Sequence, residues 1–248
     1  ATLSGNIAAL KALAQAGAVS PESTVNIGIA GDGGTYDIGL QALLAWIARG
    51  ENGVYVCRNN QAYMNTGVQG SGATPYGTNT TTTPFGKVIR GNQRTPQYLL
   101  DLALAAGASY AAAACPLWHR DLMIKAQKAA AIEGPCVLEL YSVCPEGWKS
   151  DTDVFHEITA LALETRSWIL YEAERERKSN TVLFTLNYTP KKYLPILAYL
   201  KLQERFASMS EFPQMVERAQ EVIEARWSFW KPVLEANGKE WKEGLRAS

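Results

Sequence analysis

Two rhythms of apolar and polar positions run along this chain. VNIGIA (25–30) is a short, β-branched apolar run that ends in the loop GDGG. Leu40, Leu43, Leu44 and Ile47 then recur at helical spacing across 36–48, and GVYVCRN (53–59) is a second apolar run. Strand, loop, helix and strand in that order form the repeating unit of a parallel sheet covered by helices. The same rhythm resumes later. A helix is expected over 96–106, a strand at SYAAAA (109–114), a helix over 119–132 and a strand at PCVLELYSV (135–143). An Ala-rich helix over 4–16, closing near Gly17, precedes them all.

Residues 60–96 interrupt the rhythm. They are rich in Gly, Thr, Asn and Pro and include TNTTTTP (78–84). So long a stretch without periodicity inside a domain reads as a functional loop. After Pro145 the character changes again. A helix is expected over 151–165, a hairpin from WILYEAE (168–174) and TVLFTLNY (181–188), and helices over 191–207 and 211–245. The chain thus reads as α/β. Residues 1–150 form a mainly parallel sheet flanked by helices, and residues 151–248 form a hairpin and helical arm that packs on the same domain or on a partner.

Composition narrows the function classes. The 248 residues are 47% hydrophobic, enough for a sizeable core, and 24 basic side chains balance 24 acidic ones. A neutral chain offers no field for nucleic acid or an anionic membrane. No apolar run reaches the roughly 18–20 residues of a membrane helix. The start carries no basic head or cleavage pattern of a signal peptide. Four cysteines (Cys57, Cys115, Cys136, Cys144) without a CxxC pair suit a reduced, cytoplasmic protein. The chain opens at Ala1, directly in a helix, and is expected to lack an N-terminal segment.

The chemistry gathers at strand ends. Glycines let a backbone approach an anion closely, and a helix N-terminus beyond them offers free N–H groups. An acid inside such a loop makes sense beside a hard cation that bridges carboxylate and phosphate. GDGG is therefore either a tight turn or a phosphate cradle with Asp32 as a metal ligand. Asn59 and Asn60 end the next strand, and Asn60 lies 28 residues beyond Asp32. Neighbouring parallel strands bring these ends together at the carboxyl edge, where open α/β sheets bind ligands.

GDGGTYDIGLQAL (31–43) and NNQAYMNTGVQGSGATPYGTNTTTTPFGK (59–87), continued by EGPCVLELYSVCPEGW (133–148) and YLKLQERF (199–206), closely resemble the β subunit of pyruvate:ferredoxin oxidoreductases and related 2-oxoacid:acceptor oxidoreductases. The resemblance implies a fold that binds thiamine diphosphate. It also implies that Asp32, Asn60 and the carbonyl of Ala62 hold Mg²⁺, that Gly31, Gly33 and Gly34 line the diphosphate, and that Asn65 and Thr66 sit at the reactive ring. Cys144 would be one ligand of a [4Fe–4S] cluster whose other three cysteines lie outside this stretch. The implied reaction is reversible oxidative decarboxylation of a 2-oxoacid such as pyruvate to acyl-CoA and CO₂. Electrons would pass to ferredoxin, with pyrimidine-domain (α) and ferredoxin-like (γ) subunits as partners. The carboxylate that activates the aminopyrimidine would come from the partner, so this chain alone should be inactive.

The remaining candidates read as structural. Cys57, Cys115 and Cys136 fall in or beside strands, Trp148 reads as a packed aromatic, and His119 and His156 have no metal-like partner at helical spacing. Two departures from the family stand out. Asn59-Asn60-Gln61 stands where Asp-Asn-Glu is common, and Gly70 where Arg is common. These changes bear on substrate identity more than on cofactor binding. Two other functions fit part of the pattern: a non-redox thiamine-diphosphate decarboxylase or carboligase, and a non-catalytic assembly subunit. A dinucleotide site does not, because GxGxxG is absent.

Overall fold

The computed structural model describes residues 2–20 and 24–237. Six strands form one sheet: β1 (Ile27–Gly31), β2 (Gly53–Asn59), β3 (Tyr110–Ala114), β4 (Pro135–Tyr141), β5 (Tyr171–Arg175) and β6 (Val182–Leu186), in the order β1-β2-β4-β3-β5-β6. β1, β2, β4 and β3 are parallel, and the hairpin β5–β6 joins β3 antiparallel. The longer helices are α1 (Thr2–Gln15), α2 (Leu40–Ala48), α3 (Leu99–Ala105) and α4 (His119–Ala131). Then come α5 (Pro145–Trp148), α6 (Phe155–Glu164), α7 (Ile196–Leu200), α8 (Ala207–Ser210) and α9 (Pro213–Asn237).

Both faces of the parallel strands are covered, which is why those strands carry apolar residues on both sides. Leu43, Trp46 and Ile47 of α2 and Leu99, Leu100 and Ala103 of α3 pack with Ala111, Ala113 and Val137 on one face. Ala129 of α4 packs with Tyr110, Ala112 and Leu138 on the other. Four consecutive alanines keep β3 thin, and all five of its residues are buried. α9 closes the first face through Trp230, whose ring lies 4.4 Å from that of Tyr171 and 5.0 Å from that of Phe184. A further cluster around Tyr141, Trp148, Leu163, Tyr199 and Phe206 lies under the carboxyl edge of β4.

Some expected elements are shorter or broken. The helix expected over 36–48 is a π-turn (Gly34–Ile38) followed by α2, because Gly39 N–H donates to Gly34 O, five residues back, at 3.0 Å. The helix over 191–207 breaks into α7, a 3₁₀ turn (Glu204–Phe206) and α8; Pro195 fixes where α7 can begin. The part of the last helix expected over 238–245 lies outside the described residues. Residues 60–96 contain two isolated bridges, Tyr63–Gln69 and Phe85–Arg90, and turns closed by backbone hydrogen bonds, and are pinned by side chains as well. Asn92 alone donates to the carbonyls of Thr74, Pro75 and Arg94.

One ion pair is sealed under β3. Lys125 Nζ, 1% exposed, donates to Asp121 Oδ2 and to Ala113 O, each at 2.7 Å. Removing one partner of such a pair leaves an uncompensated charge in the core, at a cost of about 3–5 kcal/mol. Asp121→Ala should therefore lower Tm by roughly 10 °C for a chain of this size. The double change Asp121→Leu with Lys125→Met should cost less than the single one, as read by thermal unfolding.

Candidate functional site

β1 and β2 run side by side with Gly31 opposite Arg58, and β4 continues the edge with Tyr141 opposite Asn59. This register puts Asp32, just beyond β1, next to Asn60, just beyond β2. Asp32 is 1% exposed. Its Oδ2 accepts from Ser71 Oγ at 2.5 Å, and its Oδ1 accepts from the Asn60 backbone N–H at 3.3 Å. Burial raises the carboxyl's pKa, and the Ser71 hydrogen bond works against that rise. A cation beside the carboxylate would reverse the burial effect.

The Asn60 side-chain amide lies 2.8 Å from Asp32 Oδ1 and 2.9 Å from the Ala62 carbonyl oxygen. Which end of the amide turns inward depends on what fills the centre. Facing inward, its nitrogen donates to both oxygens, whereas a cation calls for its oxygen. In the second case the Asn60 oxygen stands from each of the other two oxygens at the spacing of neighbouring octahedral ligands, about 2.8–3.0 Å for Mg–O bonds of about 2.0–2.1 Å. The donor set, one carboxylate and two neutral oxygens, is that of a hard cation. The expected trio of Asp32, Asn60 and Ala62 is thus brought together.

The support for this trio comes from residues that the sequence did not mark. Ser71 N–H donates to Thr74 Oγ1 at 2.8 Å, and Thr74 Oγ1 donates to Gln61 O at 2.7 Å. Gln61 sits between the two ligand-bearing residues at φ 67°, the left-handed region that a side chain disfavours. That turn brings Ala62 O back toward the Asn60 amide. Gly31 and Gly34 are exposed; a Cβ would point into open space at Gly31 and would touch only the Ala30 Cβ, at 4.0 Å, at Gly34. Gly33 differs: a Cβ there would overlap the Tyr63 ring, whose hydroxyl donates to Gly33 O at 2.8 Å.

The other expected residues fall in varied settings. Asn65 and Thr66 are exposed at the tip of the loop closed by the Tyr63–Gln69 bridge. Thr66 Oγ1 contacts Gln69 Oε1 at 2.5 Å, so its hydroxyl helps to cap the loop. Cys144 is half-buried and precedes α5, whereas Cys57, Cys115 and Cys136 are fully buried. Among the described residues no group of three His, Cys, Asp or Glu side chains is placed to hold a metal, so Cys144 stands without companion thiolates there. His119 and His156 are both exposed, the latter against Phe155. Trp148 is fully buried, as a packed aromatic should be, and its indole N–H also donates to Asn60 O at 2.9 Å.

Asn59 links the trio to a second cluster: its Oδ1 accepts from the Gln61 N–H at 3.0 Å, inside the turn between Asn60 and Ala62. Its Nδ2 donates to Glu139 Oε1 at 2.7 Å, and the Tyr36 hydroxyl donates to the same oxygen. Glu139, on β4, is 6% exposed and lines a cavity of about 150 Å³ between the sheet and α9. An amide suits position 59, because a carboxylate there would meet Glu139 as a second negative charge. A glutamate inside the apolar run PCVLELYSV was the signal for this cluster.

The fold and the edge site agree with the matches to known proteins. The family described as "Thiamine pyrophosphate enzyme, C-terminal TPP binding domain" matches residues 5–140, which take in β1, β2, β3 and all but the last residue of β4. The pyruvate synthase subunit PorB of Methanothermobacter marburgensis is 43% identical over 185 residues, 75% of this chain and 62% of that protein. The ketoisovalerate oxidoreductase subunit VorB of Pyrococcus horikoshii is 40% identical over 240 residues, 96% of this chain and 74% of that protein. A solved 2-oxoglutarate:ferredoxin oxidoreductase from Magnetococcus marinus overlaps 60% of this chain and 49% of its own at 25% identity, with a TM-score of 0.48, too partial to carry any assignment. The site class is thus a thiamine-diphosphate-binding domain. Within that class, the chain belongs to the family of B (β) subunits of 2-oxoacid:ferredoxin oxidoreductases that includes PorB and VorB. It spans less than two thirds of the PorB subunit's length. Among the described residues no helix is long and apolar enough to cross a membrane.

Glu139 gives a pH signature. Burial pushes its pKa from 4.5 up to about 7, against the pull of the Tyr36 and Asn59 hydrogen bonds. Between those values the folded chain holds a proton that the unfolded chain releases. The group's contribution to stability therefore falls as pH rises through this window and is lowest above pH 7, by about 3 kcal/mol. Glu139→Gln should flatten that part of the Tm-against-pH curve and raise Tm at pH 8. An unchanged curve would show that Glu139 is not the group responsible.

Proposed function

We propose that this chain is the thiamine-diphosphate-binding part of a coenzyme A-dependent 2-oxoacid:acceptor oxidoreductase, oxidising a 2-oxoacid such as pyruvate to acyl-CoA and CO₂. The observation that carries the reading is the Asn60 amide set between Asp32 Oδ1, at 2.8 Å, and Ala62 O, at 2.9 Å, at the carboxyl edge, in a chain of this family. Asp32 neutralises part of the charge of Mg²⁺, and Asn60 and Ala62 complete its protein ligands. Gly31 and Gly34, open to solvent, let the diphosphate approach the backbone.

When bound, thiamine diphosphate supplies a nucleophilic carbon and an electron sink for decarboxylation. Asn65, exposed at the tip of its loop, acts as a hydrogen-bond partner for the substrate rather than as an acid or base, since an amide does not titrate. Thr66 holds that loop through Gln69. Cys144, the cysteine that is not fully buried, contributes one thiolate to a [4Fe–4S] cluster completed by residues outside those described. The relatives' names, each that of a subunit, support assembly with further subunits; the partners proposed are of pyrimidine-domain (α) and ferredoxin-like (γ) type, with ferredoxin as electron acceptor in the cytoplasm.

Two measurements test this reading. The purified native complex should reduce a viologen in a coenzyme A-dependent way with at least one member of a 2-oxoacid panel, and should contain iron and sulfide. Absence of reduction with every oxoacid, despite bound cofactor, would contradict it. In Asp32→Ala the retained thiamine diphosphate should drop by at least tenfold after gel filtration in Mg²⁺. Normal retention would remove Asp32 from the metal site.

A further inference from the structure

Arg205 is 5% exposed, yet among the described residues no carboxylate lies within ion-pairing distance of it. Its Nε and Nη2 donate to Gln203 Oε1 at 3.0 and 2.7 Å. Nη2 also donates to Gln61 Oε1 at 2.5 Å and reaches Tyr199 Oη at 3.4 Å. Nη1 is buried with no hydrogen-bond partner. A guanidinium buried on neutral hydrogen-bond acceptors is costly; its desolvation is offset by amide and hydroxyl dipoles, by the faces of the Trp148 and Phe206 rings and by the more distant charge of Asp32. Packing alone would be served as well by an apolar side chain.

Its contacts share one destination. The guanidinium lies over the Trp148 ring at 3.7 Å, and Trp148 Nε1–H donates to Asn60 O at 2.9 Å. The Gln61 side chain that Arg205 grips belongs to the residue at φ 67°. The residues on either side of that turn bear the Asn60 amide and the Ala62 carbonyl, 2.9 Å apart. A left-handed residue with a side chain persists only where its surroundings over-determine it. Here the surroundings are Asn59 Oδ1 on the Gln61 N–H, Thr74 on the Gln61 carbonyl, Arg205 on the Gln61 side chain and Trp148 on the preceding carbonyl.

We propose that Arg205 and Trp148 clamp residues 60–62 in the conformation that presents the Asn60 and Ala62 oxygens, and so set the metal affinity of the site. They are positioning residues, acting through Gln61 and Asn60 without touching the cation. The proposal rests on the metal-site reading above. It assigns a function to the segment around Arg205, far along the chain from the glycine loop.

The test uses the native complex stripped of cofactor and divalent metal. Mn²⁺ binding is followed by electron paramagnetic resonance at saturating thiamine diphosphate. Trp148→Phe keeps the ring and removes the N–H, Arg205→Lys keeps the charge and loses the stacked fork, and Gln61→Met keeps the bulk and removes the acceptor. Each should raise the Mn²⁺ Kd about tenfold, with cofactor binding restored at high Mn²⁺. Leu163→Ala, which opens the same apolar cluster at a residue outside the clamp, should lower Tm and leave the Kd within twofold. Clamp variants with a Kd within twofold of wild type, or a Leu163→Ala Kd that rises as far as theirs, would overturn the proposal. A wild-type complex that bound neither Mn²⁺ nor thiamine diphosphate would sink the metal-site reading itself, and the clamp with it.

Discussion

A carboxylate that is almost wholly buried must be met by donors or by a cation, and Asp32 is met by few donors. Ser71 supplies a short hydrogen bond to Oδ2 and the Asn60 backbone a long one to Oδ1. Oδ1 then faces the Asn60 amide, which in turn faces the Ala62 carbonyl. The surrounding structure serves this arrangement. The parallel register of β1 and β2 brings the two strand ends together. The Ser71–Thr74–Gln61 chain of hydrogen bonds fixes the loop beneath them.

The layers below determine how rigid that edge can be. β4 lies between β2 and β3 and carries Glu139, which ties Asn59 and Tyr36 into one buried cluster beneath the carboxyl edge. Tyr36 belongs to the π-turn that follows the glycine loop, so the same cluster ties that loop to the centre of the sheet. On the far side of residues 60–62, the cluster containing Trp148 and Phe206 delivers Arg205 to the Gln61 side chain. Loop 60–96 has no strand or helix of its own but is stitched by local backbone hydrogen bonds, such as Gly77 N–H to Asn92 O and Asn92 N–H to Thr78 O. These neighbours, and Asn92, whose amide meets three carbonyls, add side-chain ties to those turns.

Much of this was readable in the residues. The strands at 25–30, 53–59, 109–114 and 135–143 follow from their apolar runs, and the edge site follows from placing GDGG beside an Asn pair in a parallel sheet. What was not readable depends on contacts between distant segments. Nothing in YLKLQERF indicates that Arg205 meets Gln61, 144 residues earlier in the chain. The serine of VQGSG shows no sign that it will meet Asp32, because a Gly-rich loop has no periodicity from which to infer direction. The two asparagines are alike on paper, yet one turns to Glu139 and the other to Asp32. The π-turn was read as an ordinary helix start, because helical spacing cannot distinguish a five-residue step from a four-residue one over so short a stretch. The amides at 59 and 61, which stand where the family often carries acids, also gain a physical setting. One satisfies Glu139, and the other is the neutral partner of a buried arginine.

The central claim is a position for a cation, and manganese makes that position visible. Crystals of the complex grown with thiamine diphosphate and Mn²⁺ should show a manganese anomalous-scattering peak at the carboxyl edge of this chain, in data collected between the manganese and iron absorption edges. The peak should lie about 2.2 Å from Asp32 Oδ1, the Asn60 side-chain oxygen and the Ala62 carbonyl oxygen, with the Asn60 amide oriented oxygen-inward. A peak coordinated by other residues, or density for the cofactor with no metal among these three oxygens, would contradict the account.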